Sequence, residues 1–89
     1  MKAVVTVIGK DCKGIIAKVS NILFDHEVNI LDISQTVMQD MFTMIMLVNF
    51  ENDNIPFKKV TDALDACGEG MGLSIHVQRE EIFTSMHRI

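Results

Sequence analysis

The chain has 89 residues, 48% of them hydrophobic and 22% charged, and a net charge of −4. That length gives one domain, burying roughly 60 to 65% of its extended-chain surface on folding, and so large an apolar share points to a partner subunit covering part of it. The acidic balance argues against a nucleic-acid partner, since phosphate binding draws on clustered Lys and Arg and the nearest thing to a basic patch is Lys10 with Lys13. No run reaches the roughly 20 apolar residues that span a bilayer, and Lys2 leads straight into strand-like residues with no signal-peptide core, so a cytoplasmic protein without membrane association is expected.

Residues 3–8, AVVTVI, are β-branched and predict a strand ended by Gly9. The following GKDCKGII has the glycines of a phosphate loop. A P-loop, however, continues its second glycine with Lys and then Ser or Thr, where this chain has Ile15 and Ile16. The stretch is therefore a strand-to-helix corner, with Asp11 as the expected helix cap. From Gly14 to about Asp25, Ile15, Val19, Ile22 and Leu23 recur at helical spacing and predict a first helix with one buried face. NILDISQTV then alternates, setting Leu31, Ile33 and Val37 on one side and Asp32, Ser34 and Thr36 on the other, as in a strand with one covered face.

Gln39 and Asp40 suit a tight turn. Beyond them Phe42, Met44, Met46, Val48 and Phe50 share one face of FTMIMLVNF and Ile45 and Leu47 the other, so this strand is expected at the centre of a sheet, with cover for its second face from the tail or from a second sheet. Pro56 opens a second helix at a position where its missing N–H costs nothing. Phe57, Val60, Leu64 and Cys67 line its inner face, and Gly68, Gly70 and Gly72 are expected to end it. LSIHVQ alternates as a last strand with Leu73, Ile75 and Val77 inward, and Ile82, Phe83, Met86 and Ile89 recur at helical spacing in the tail. The order β-α-β-β-α-β predicts an α+β ferredoxin-like sandwich, a four-stranded antiparallel sheet with both helices on one face, plus a short C-terminal helix.

Several chemistries lack their residues. His26, His76 and His87 are not spaced as metal ligands, Cys12 and Cys67 form no CxxC pair, and no nucleophile elbow or paired carboxylate stands out, so neither metal, cofactor nor catalysis is expected. RNA-binding modules of this topology stack bases on aromatic strands, but the chain has no Tyr or Trp. What remains is the corner after the first strand, where backbone amides at a helix N-terminus attract a carboxylate as readily as a phosphate. Gly14 offers close approach there, and Asn29 is a second polar candidate, with a turn residue holding its own backbone as the alternative.

VTVIGKDCKGIIAKVSNILFDHEVNILDISQTV resembles the first half of the ACT domain, and NILDISQT, FTMIMLV and the terminal MHRI resemble a subgroup of short stand-alone ACT proteins similar to glycine-cleavage-repressor-like regulators. The resemblance covers essentially the whole chain, residues 1–79 as the ACT domain and 80–89 as a helical tail. It implies a non-catalytic regulatory homodimer that binds a small molecule, an amino acid in many relatives, near the subunit interface. It further implies a ligand site on Asp11, Cys12, Lys13, Gly14, Ile15, Asn29 and Ile30, although Cys12 and Lys13 stand where the subgroup usually has Arg and then a small apolar residue or Pro. The alternative is an interaction module that pairs with another protein through its sheet and tail and needs no ligand.

Overall fold

Branched residues hold the chain extended in β1 (Lys2–Lys10), and the loop after it leads into α1 (Ile15–Asp25). β2 (Asn29–Met38) and β3 (Met41–Asn49) form a hairpin, α2 (Phe57–Met71) follows, and β4 (Leu73–Arg79) completes the order expected from the sequence. The computed structural model describes residues 1–51 and 54–82. Residues 80–82 form a short C-terminal helical turn, while the tail positions Phe83, Met86, His87 and Ile89 lie outside the described residues. All pairings in the sheet are antiparallel and the strand order is β2-β3-β1-β4, so β2 and β4 are its edges.

β3 is interior, as its two-sided apolar pattern predicts. Its register with β1 pairs Met46 with Val5 and Met44 with Val7, and β4 adds Val77 and Ile75 beside the same two valines. These rows face the helices, where Val19 and Leu23 of α1 and Val60 and Leu64 of α2 close the core with no exposure. The opposite face of the sheet keeps Ile8, Ile45 and Met41 exposed, although Val4 is buried there between its cross-strand partners Leu47 and Gln78.

Four local expectations change. Asp11 does not cap α1, because Gly14, three residues further on, takes the N-cap position in the left-handed region (φ 86°) with no side-chain cap bond; the Asp11 amide donates instead to the carbonyl of Asp40 at 2.8 Å. Gly68 and Gly70 lie within α2, and Gly72 alone ends it, at φ 71°. Gly68 is internal for a packing reason, since a Cβ there would stand 2.8 Å from the Leu73 carbonyl oxygen. β2 has no covered face from Leu31 to Met38, where every residue is exposed although α1 runs beside this edge. Its alternation is also broken by a bulge between Ile30 and Asp32 that leaves Leu31 without a cross-strand partner and puts Ile30 and Ile33 on the same side.

Candidate ligand site

The corner between β1 and α1 is held by three features. The turn at Gln39 and Asp40, with Gln39 at φ 58°, brings the Asp40 carbonyl under the Asp11 amide. Gly14 supplies the left-handed entry to the helix, and its own carbonyl accepts from the Lys18 amide at 2.9 Å. A Cβ on Gly14 would meet nothing within 4 Å, so glycine is required by its dihedral and not by crowding. The amides of Ile15, Ile16 and Ala17 have no partner within the helix, no side chain caps them, and the first turn carries no acidic residue. A helix start in this state favours an anion.

A cavity of about 370 Å³ opens beside these amides. Asp11, Cys12 and Gly14 contribute its loop side, and Ile15 and Phe42 its buried base. Ile16 and Ala17 of α1 face Gln35 and Val37 of β2 across it. Four of the expected site residues, Asp11, Cys12, Gly14 and Ile15, are thus brought together. Lys13 is exposed and does not line the cavity, and Ile30 packs against the core.

Asn29 is at the other end of β2. It pairs with Asn49 and lines a separate open cavity of about 540 Å³ with Phe24, Asp25, Glu27, Val28 and Glu51. At the rise of a strand, the eight steps from Asn29 to Val37 span about 25 Å, so one chain does not join Asn29 to the loop. The turn before it is made by Glu27, at φ 60°, and not by Asn29 itself. Gln35 is the cavity residue that sequence reasoning passed over. Its signal is parity: it shares the spacing of Ile33 and Val37, a polar residue in an apolar row.

The remaining chemistry-bearing groups are placed as structure. The Nδ1 of His26 lies 2.8 Å from the Ile22 carbonyl oxygen at the end of α1, and His76 pairs with Ser74 at 3.0 Å on the open sheet face. No group of three or more His, Cys, Asp or Glu among the described residues is arranged to hold a metal ion. Among the same residues, no helix is long and apolar enough to cross a membrane. Both cysteines are free, Cys12 exposed in the cavity loop and Cys67 half-buried against the Met71 sulfur. Brief treatment with iodoacetamide should therefore alkylate Cys12 at least tenfold faster than Cys67, read by peptide mass spectrometry; equal rates would mean that α2 opens readily.

Comparison with known proteins places this architecture among relatives. A family model described as the ACT domain matches residues 2–78. A UPF0237 protein of Clostridium acetobutylicum is 55% identical over 89 residues, covering 100% of both chains. Among solved structures, an ACT domain protein from Streptococcus pneumoniae is 38% identical with a TM-score of 0.81, covering 93% of each chain. A candidate glycine cleavage system transcriptional repressor shares the fold, with a TM-score of 0.77 at 23% identity over 86% of this chain and 44% of its own.

Proposed function

Because the chain belongs to the ACT domain family, whose members are regulatory small-molecule-binding domains, we propose that it is a non-catalytic cytoplasmic sensor of a free amino acid, acting as a homodimer with the ligand between subunits. Residues 1–79 constitute the sensing domain and residues 80–89 an appended tail. The ligand carboxylate meets the uncapped amides after Gly14, Asp11 lies near the ammonium, and Asn29 of the partner subunit bridges the two.

The observation that carries this reading is the separation of Asn29 from the loop along an open, apolar edge strand. β2 exposes Ile33, Val37 and Met38 at 40%, 52% and 70%, a row that a solitary soluble domain would have to protect from other strands. A two-fold axis near Ile33 pairs this edge antiparallel with its copy. Asn29 of the partner subunit then arrives beside Val37 and the loop, joining the two cavities. Phe24, at 78% exposure the least covered large apolar residue among the described residues, is brought by the same axis toward Ile16 across the joint. A ligand-independent interaction module would use the opposite sheet face, where Ile8, Ile45 and Met41 are open.

Thermal melts with each of the twenty amino acids test the proposal. A ligand at one hundred times its dissociation constant adds about 2.7 kcal/mol, which for a domain of this size raises Tm by about 10 °C or more. No shift with any amino acid at millimolar concentration would overturn it. Asn29→Ala should abolish the shift while leaving the dimer and the ligand-free Tm unchanged, because Asn29 is exposed; loss of folding would assign Asn29 a purely structural role.

A further inference from the structure

Resting on the reading of this cavity as an amino-acid site, we infer that Gln35 selects the ligand, and that the ligand is an amino acid with a neutral side chain carrying a hydroxyl or amide. Gln35 lies opposite Met44 on the helix side of the sheet, between Ile33 and Val37. On that side β1 contributes Ala3, Val5, Val7 and Gly9, and β3 contributes Phe42, Met44, Met46 and Val48. A carboxamide in that apolar surface is the exception, and among the described residues it has no hydrogen-bond partner of its own. It faces into the cavity beside Val37 and Phe42 and across from Ile16 and Ala17.

The selectivity follows from what each class of side chain would leave unpaired. An apolar side chain covering this wall would desolvate the Gln35 amide without bonding it, a penalty that falls on the bound state. An acidic side chain would enter a wall of Ile16, Ala17, Val37 and Phe42 that offers no cation, and the one carboxylate lining this cavity, Asp11, is engaged by the ligand ammonium and does not also pair a basic side chain. Acidic ligands are further opposed by Asp25 and Glu27, which flank Asn29 and arrive with it. A hydroxyl or amide satisfies the carboxamide, which both donates and accepts. A volume of about 370 Å³ is near the small end for a ligand pocket and suits a single amino acid.

Near-isosteric pairs make the test. Calorimetric titration should show the wild-type protein binding L-threonine at least tenfold tighter than L-valine, or L-asparagine at least tenfold tighter than L-leucine. Gln35→Leu, and Gln35→Met as an unbranched second variant, should lose that preference or reverse it, with the fold intact by circular dichroism since Gln35 is exposed in the single chain, and the dimer retained on size-exclusion chromatography because neither substitute sets a charge at the joint. Wild-type protein that binds the apolar member better, or variants that keep the wild-type ranking, would overturn the role of Gln35 and leave the amino-acid reading standing. Wild-type protein that binds none of the four would overturn both.

Discussion

Gly68→Ala should lower Tm by about 10 °C, whereas Gly70→Ala, two residues along the same helix, should leave it unchanged or raise it by a few degrees. Both glycines are inside α2, so both substitutions gain up to about 1 kcal/mol in helix propensity. They differ in what the new methyl meets. At Gly68 it would lie 2.8 Å from the Leu73 carbonyl oxygen and 3.2 Å from Ile75 Cγ1. The first of these is backbone and cannot swing aside, so α2 must back away from β4 or tilt. Overpacking of this kind costs about 1 to 3 kcal/mol, and in a domain of this size each kcal/mol moves Tm by about 4 to 8 °C. At Gly70 nothing stands within 4 Å, so only the propensity gain remains. Circular dichroism melts of the two variants decide the matter, and a rise in both would mean that α2 packs less closely on β4 than the structure indicates.

Periodicity made most of the sheet legible before any coordinates. β3 was identifiable as interior because its apolar residues occupy both parities, and β4 as a strand with one face on the core because Leu73, Ile75 and Val77 alternate without interruption. β2 alternates just as cleanly, yet it is exposed on both sides. Alternation reports which residues share a face, not whether anything covers it. The bulge at Leu31 was hidden for a related reason: an inserted residue changes pairing and not composition. The ligand corner was half legible. Gly14 and the amides after it follow from a glycine before an apolar helix, but Asp11 as a cap rested on residue type without the offset that capping geometry requires. Gln35 was in plain view as the polar member of the Ile33 and Val37 row, and its meaning depended on learning that this row borders α1.

Mixing two inactive proteins should restore binding, which separates a site shared between subunits from one built inside a single chain. Asp11→Ala removes a loop group and Asn29→Ala the group at the far end of β2, some 25 Å away along the strand. Each homodimer should fail to bind, because each of its two equivalent sites lacks one contribution. Around a two-fold axis the interface is isologous, so a heterodimer of the two variants has one site with both defects and one site with neither. After unfolding and refolding an equimolar mixture, half of the dimers are heterodimers, and roughly a quarter of the wild-type number of sites should reappear at wild-type affinity. Calorimetry reads both quantities together, stoichiometry from the equivalence point and affinity from the curvature. A site contained in one chain gives no recovery at any mixing ratio. Ile33→Lys supplies the complementary loss: a lysine near the two-fold sets like charges against each other across the joint and should convert the dimer to monomer. Because Ile33 is already 40% exposed in the single chain, the monomer should remain folded, and it should bind no amino acid even with Asp11, Gly14 and Asn29 all in place.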